Sequence, residues 1–380
     1  MGYEVHIIAG LDEVDAGQWN ALNTSRQPFL SYEFLQGLEA YGCVGESWGW
    51  IPQHIIIKQD EALIGALPLY LKTNSYGELV FDWAWADAYA RSGMEYYPKL
   101  VSAIPYSPVT GQRLLVSPSH DKTVVSQLLL QAAIQHAKDK QLSSLHILFP
   151  DEDDLTQCTQ HGMLQRDACQ FHWYNNSYTS FDDFLATFSS KKRKNVKRER
   201  RHVTDADVSI EILDGHQIDA ATWQAFHTLY SSTFMRKSGY ATLSLEFFLS
   251  LSERMPDNVR LIMAKHNEEY VAGAYLLCDD DNLYGRHWGC NARYNCLHFE
   301  VCYYAAIEYC IETGRQHFDA GAQGEHKINR GFTPINTWSA HWLNHPAFME
   351  AVGDFVAHEA RGIEDYMSVL EEHAPYKNTK

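Results

Sequence analysis

The sequence predicts an α/β fold with mixed sheets, arranged as two tandem domains. Three observations lead there. A chain of 380 residues exceeds one ordinary core and suits two. Strand-like and helix-like apolar periods alternate along it. One order of elements (hairpin, strand, glycine-containing turn, helix, strand) occurs in each half. With 45% hydrophobic and 21% charged residues, the composition is that of a packed globular protein, which sets aside disordered and fibrous classes.

The elements follow in chain order. WNALNTSRQPFLSYEFLQGLEAYG reads as helical, with Phe29, Phe34, Leu35 and Leu38 near one face and Ser31 as a cap. HIIIKQDEALIGALPLYLK is a hairpin turned at Gln59-Asp60-Glu61. SPVTGQRLLVSP gives a turn and a short strand. TVVSQLLLQAAIQHAKDK gives a helix with apolar positions 124, 125, 128, 129 and 132, and SSLHILFP a buried strand. Phe181, Phe184, Leu185 and Phe188 share one helical face. The run from Val259 to Gly289 makes strands turned at His266-Asn267 and at Asp279 to Asn282. LHFEVCYYAAIEYCIETG makes a helix ended by Gly314, and RQHFDAGA a last strand. The division expected is 1–178 and 179–380, the second domain opening with a basic helical segment.

The N-terminus shows no basic stretch leading an apolar one, and no apolar run reaches membrane-spanning length, so a cytoplasmic protein without membrane insertion is expected. A formal charge of -17 argues against general nucleic-acid coating, because phosphate binding needs a basic surface. Any such contact must be local. Eight cysteines without a Cys-x-x-Cys pair read as reduced thiols.

Four stretches concentrate chemistry. KKRKNVKRERR, residues 191–201, carries a net of +7 and leaves -24 for the remainder. Like charges one turn apart weaken a helix unless an anion offsets them, so Lys192, Arg193, Lys194 and Arg198 are candidate phosphate contacts, with Ser189 or Ser190 as the cap. A solvated basic face is the other reading. In VFDWAWADAYARSGMEYYPKL, Asp82 and Asp87 stand among Trp83, Trp85, Tyr89, Tyr96, Tyr97 and Lys99. This is either a groove whose aromatic walls hold a substrate while a carboxylate binds or deprotonates an amine, or an aromatic core with capping acids. Arg286, His287, Trp288, His298 and Glu300 flank the turn into the second-half helix and are candidate binding residues. His287, His298 and His326 with Cys290 or Glu300 lack any zinc-ligand spacing, so no metal is expected. Finally, GAQGEHKINRGF, residues 321–332, crowds Gln323, Glu325, His326, Lys327 and Arg330 between glycines where a core strand should turn. A structural salt-bridge turn would also explain it.

Read together, FDWAWADAY, YYPKL, PVTGQRLL, FHW, KKRKNVKRER, LYGRHWG, LHFEVCYY and GAQGEHKINRGF resemble, over nearly the whole chain, a family of predicted N-acyltransferases labelled for peptidoglycan biosynthesis or recognition. That family is similar in turn to the Fem-type peptidyl transferases, built from two acetyltransferase-like domains of the GNAT kind and using an aminoacyl-tRNA donor. The link is the doubled plan and Lys327 followed by Arg330-Gly331-Phe332, similar to the Fem lysine before a Gly-Phe turn. The resemblance implies two tandem GNAT-like acyltransferase domains. It implies transfer of an acyl or aminoacyl group to an amine, with acyl-CoA or aminoacyl-tRNA as co-substrate, possible contact with tRNA, and no tightly bound cofactor. It implies that Lys327 polarises the ester or thioester carbonyl, that His326 or Glu325 accepts a proton, and that Gln323 and Arg330 bind substrate. Asp87 and Asp82 are the carboxylates for the amine. The chain departs from the pattern in lacking the helical arm of some Fem proteins and a strict acetyl-CoA signature. PVTGQRLL and YGRHWGCNAR occupy the place of that signature only by order of elements, which makes Gly111 and Arg113 phosphate candidates. A second class stays open: a non-catalytic module of the same fold that binds a cell-wall precursor or an RNA end.

Overall fold

The computed structural model describes residues 2–236, 239–291, 294–322 and 324–377. The chain divides into two compact units, one of residues 1–169 and 336–365, the other of residues 170–335 and 366–380. Chain order and unit therefore differ, because residues 336–365 return to the first unit.

In the first unit the opening helical stretch is two helices, Ala16–Leu22 and Tyr32–Ala40, parted by a short turn Pro28–Leu30. Proline lacks the amide that a continuous helix needs, so the chain restarts after it. Ser31 then caps the second helix, its hydroxyl accepting from Phe34 N at 3.3 Å. The predicted hairpin is present as His54–Gln59 and Ala62–Leu67, with Asp60 and Glu61 both at positive φ, as a tight two-residue hairpin turn requires. Flanked by Glu4–Ile8 and Leu115–Val116, it forms a four-stranded antiparallel sheet. The unit's other strands run Trp50–Pro52, Tyr70–Lys72, Lys99–Ser102, Ser144–Leu148, and then residues 339–343 of Thr333–Leu343; Lys99–Ser102 and Ser144–Leu148 are parallel. Helix Lys122–Asp139 links the two sheets, burying Val125, Leu129, Leu130, Ala133 and Ala137 against Ile55, Ile57, Leu100 and Leu145. The expected stripe is thus turned by about one residue, and Val124 is left 41% exposed.

In the second unit an antiparallel run Ser209–Asp214, Val259–His266, Glu269–Cys278, Asn282–Cys290 is followed by His317–Asp319, parallel to the last of these, and then by residues 172–174. Helix Ala220–Arg236 lies so close on Asn282–Cys290 that a Cβ at Gly289 would fall 2.3 Å from the Leu229 backbone. Only glycine fits there. Residues 297–313 form one helical segment, ended by Gly314 at φ 75°. Each unit so contains a parallel pair of strands joined through a helix, the doubled plan that the sequence predicts. Among the described residues no helix is long and apolar enough to cross a membrane.

Candidate active site

A parallel strand pair that stops early leaves a gap. In the second unit Asn282–Cys290 pairs with His317–Asp319 only through Tyr284 and Asp319, while its other edge stays paired to Cys290. Beyond Tyr284 that pairing ends, and Arg286 Nη1 donates to Gly285 O at 2.8 Å and to Asp319 O at 3.4 Å. The gap is a cleft of about 100 Å³, lined chiefly by Arg286, His287, Trp288, His298, Cys302 and Tyr303. Four of these, Arg286, His287, Trp288 and His298, are the binding residues that the sequence predicts, and the fold brings them together.

Beneath the cleft lies a buried ion pair, Arg286 Nη2 with Asp319 at 2.7 Å. Burial works against the Asp319 carboxylate, but Arg286 and His172 outweigh it and hold its pKa far below the usual range. His172 Nδ1 is 2.7 Å from His317 Nε2, and burial drives the His172 pKa down to about 3. Lys327 is 1% exposed and donates to Ala320 O at 2.9 Å and to Gly321 O at 2.6 Å. Burial lowers its pKa to about 8. Lys327 therefore fastens the turn that forms one wall of the cleft and sets a cation behind that wall.

His326 Nε2 lies 2.9 Å from the Tyr303 hydroxyl. Burial, then Arg330 and Lys327, lower the His326 pKa, so the ring is neutral near pH 7 and able to accept a proton. Tyr303 belongs to a single π-turn, Glu300–Tyr304, inside the helical segment. Such turns re-aim side chains, and here His298, Cys302 and Tyr303 all reach the cleft. The His298 ring stands edge-on to Trp288 and to Tyr303.

A family profile named FemAB_like, for peptidoglycan biosynthesis/recognition, matches residues 10–378. The chain belongs to the FemAB_like family. Among solved structures, FemX is similar to this FemAB_like chain over 93% of its length and 100% of FemX, with a TM-score of 0.55 at 12% identity. The C-terminal domain of a putative lysylphosphatidylglycerol synthetase from Agrobacterium fabrum is similar over 90% of this chain and 96% of its own, with TM-score 0.52 and 8% identity. L-PGS from Bacillus licheniformis gives 84% and 95%, TM-score 0.51 and 11% identity. Identities this low are likenesses of fold, and the fold they share is the mixed α/β one expected. No curated protein matches the chain.

Elsewhere the FemAB_like chain departs from its sequence reading. Glu300 turns away from the cleft into ion pairs with Arg200, which also binds Glu308. Arg330 is a structural tie: its guanidinium lies 3.3 Å from the Phe299 ring centre and donates to Glu199 and to His326 O. Glu325 is exposed and accepts from the Tyr366 hydroxyl at 2.8 Å, so it does not share the cleft. Gln323 lies outside the described residues.

The basic run forms the helix Ser190–Thr204, with Ser189 at the cap position but without a side-chain cap bond. Lys192 contacts Asn329, Lys197 pairs with exposed Asp182, and Arg200 is spent on Glu300 and Glu308. Among the described residues Arg193, Lys194 and Arg198 form no ion pair, so the face that could meet phosphate is narrower than the run.

In the first unit the aromatic stretch sorts differently from the groove reading. Asp87 is exposed and pairs only with Arg91 one turn on, which suits a surface helix and not a catalytic base. Trp83 is 63% exposed, while Trp85 and Tyr89 are core. Tyr97 is half-buried, its ring 5.4 Å from Lys99 Nζ. Asp82 and Lys99 are fully buried partners; Glu78 completes the cluster at 2.8 Å from Lys99. Gly111 and Arg113 are corrected too. Arg113 is wholly buried, its guanidinium donating to the carbonyls of Val109, Gly111, Gln112 and Leu148, and Gly111 is bridged to Pro150. Four of the five Arg113 N–H donors are engaged and the side chain has no exposure, so it does not face a phosphate. Here, past the parallel pair Lys99–Ser102 and Ser144–Leu148, the place matching the second unit's cleft is filled.

Sequence reasoning missed Asp319, Cys302 and Tyr303. A pair of tyrosines on an apolar helix reads as core, and only the π-turn separates their roles. Both are buried, but Tyr303 lines the cleft, whereas the Tyr304 hydroxyl donates to Glu199.

Proposed function

We propose that the chain is an N-acyltransferase that moves an acyl or aminoacyl group from an activated carrier to an amine on a peptidoglycan precursor, with the chemistry in the second unit. The observation that carries this reading is the contrast between the two parallel pairs: one parts to leave a polar, aromatic cleft, the other is filled by Arg113. The family description supports the precursor, and the fold shared with FemX supports the transfer.

In this reading the amine attacks the carrier's carbonyl carbon within the cleft. The nitrogen's extra proton passes through the Tyr303 hydroxyl to neutral His326, 2.9 Å away; the carrier's C–O or C–S bond then breaks, and its oxygen or sulfur leaves with that proton, returning His326 to the neutral form. Negative charge grows on the carbonyl oxygen near the cationic Arg286 and Lys327, where low local dielectric strengthens the attraction. Lys327 thus acts through its field and through the turn that it holds, without leaving its two carbonyls. Carrier and chain meet in the cytoplasm, where both acyl-CoA and aminoacyl-tRNA are made.

Tyr303→Phe and His326→Ala are expected to lower kcat by about 10²-fold or more, the usual contribution of a positioned proton acceptor. Lys327→Ala should also lower it, with circular dichroism unchanged. Full activity in all three would remove the assignment. A binding module is favoured by one fact, that the Lys327 ammonium is already engaged; repeated release of free carrier under turnover would rule that module out.

The basic helix supports a carrier with a long phosphate backbone. Filter binding of charged tRNA is expected to weaken steeply with salt. Changing Lys192, Arg193, Lys194 and Arg198 to Glu should make that dependence shallower, by about 0.9 in slope for every phosphate the helix no longer neutralises. No binding at low salt would assign the donor to acyl-CoA.

A further inference from the structure

The four-stranded sheet of the first unit ends in a strand with one edge unused. Glu4–Ile8 pairs with His54–Gln59 and with no other strand among those described. Opposite residues share a face, so Val5 beside Ile57 and Ile7 beside Ile55 lie on the face that carries the core. Ile55 and Ile57 are wholly buried under helix Lys122–Asp139, yet Tyr3, Val5 and Ile7 are 45%, 44% and 44% exposed. The core face of the sheet thus runs out beyond the helix that covers it. Between strand and helix lies a groove of about 570 Å³, whose walls include Val5, Leu128, Ala132 and Ile134.

Natural edges are usually blunted by proline, lysine, a bulge or a covering element. Glu4–Ile8 has none of these within it. We propose that this edge pairs antiparallel with the same strand of a second copy of the chain, joining two four-stranded sheets into one of eight across a twofold axis. Charge complementarity selects the register. With Val5 opposite Val5 of the second copy, Glu4 of each copy faces His6 of the other, so a carboxylate meets an imidazole twice on the outer face, as the two already do at 3.5 Å within one strand. On the core face Tyr3 meets Ile7, and the two valines meet at the axis. Two copies of Lys122–Asp139 then flank one continuous apolar strip, and each supplies the cover that the other's strand lacks. Such an interface is isologous and closes on itself, so it stops at two copies.

Sedimentation velocity at micromolar concentration is expected to give twice the monomer mass, and Val5→Lys or Ile7→Lys to return a monomer with an unchanged circular dichroism spectrum, because both side chains are exposed in the single chain. Exchanging the charges, as Glu4→His with His6→Glu, is expected to keep the dimer, whereas His6→Glu alone weakens it. Mild oxidation of Val5→Cys should give a disulfide-linked dimer, since side chains directly opposite lie within reach of a disulfide, while Glu4→Cys should give none. A monomeric wild type overturns the proposal. So does a dimer indifferent to Val5→Lys, or one that crosslinks equally at positions 4 and 5.

Discussion

Lowering the pH from 7 to 5 is expected to destabilise the protein markedly without any change of ligand or salt. Three of the enclosed histidines carry the effect: His146 and His341 at 1% exposure each, with their Nδ1 atoms 2.7 Å apart, and His172 at 4%. Burial is the main cause that holds all three well below the ordinary imidazole range, to about 3 for His172. The neighbouring cations Lys99 and Arg166 add to it for the first two. In the unfolded chain each ring takes up its proton near pH 6.5. The folded rings cannot follow, so the unfolded state binds more protons below that pH, and stability falls as pH falls. At pH 5 the loss is about 2 kcal/mol for His172, and His146 and His341 add to it in the same direction, against a usual total of about 5–15 kcal/mol. Two of the three rings lie in the first unit, which should therefore open first. Urea midpoints followed by tryptophan fluorescence at pH 7, 6 and 5 would check this; a midpoint unchanged across that range would show that the rings accept protons in place. Replacing His146 and His341 by Gln should flatten the dependence.

Lys99→Met is expected to be the most damaging single change in the first unit. The ammonium has no exposure, and it sits between Glu78 and Asp82, which are 2% and 3% exposed. Burial disfavours the lysine's charge, but the two carboxylates more than offset it and raise its pKa. Asp82 is held ionised by Lys99 against its own burial, with a further bond from the Tyr96 hydroxyl at 2.6 Å. Removing the lysine leaves two enclosed carboxylates with only Lys72, whose own pKa burial pushes down to about 7, as a counter-charge, a change that costs about 3–5 kcal/mol. In a unit of this size the melting temperature should fall by about 10 °C. Adding Glu78→Gln and Asp82→Asn to Lys99→Met should recover most of that loss, because the penalty lies in the stranded charge and not in the missing ion pair. If the single and triple variants melt alike, the cluster's charges are not what holds this region.

Much of this arrangement is legible in the residues themselves. The hairpin His54–Leu67 announces itself by two apolar runs around Asp60-Glu61, and helix 297–313 by its period and by Gly314, since both signals are local. Arg286, His287, Trp288 and His298 can be singled out because polar and aromatic residues cluster there on either side of a turn. What the residues hide depends on distance in space. Asp87 and Asp82 look alike in sequence, yet one faces solvent and the other a buried lysine 17 positions away. Arg113 reads as a phosphate arginine until the four carbonyls around it are counted. A division at 178/179 follows the composition shift near the basic run, but the first unit also holds 336–365, because residues 339–343 pair with Ser144–Leu148.

That last pairing bears on how the protein is made. Synthesis runs from the N-terminus, and domains generally fold as they emerge. Here the first unit lacks a strand until residues 339–343 have been translated, so strand Ser144–Leu148 waits with an open edge while the second unit's strands from Ser209 to Asp319 are already able to pair. The unit begun first is the one finished last. A fragment ending near residue 178 would carry that open edge permanently and should aggregate, whatever the merit of its own core.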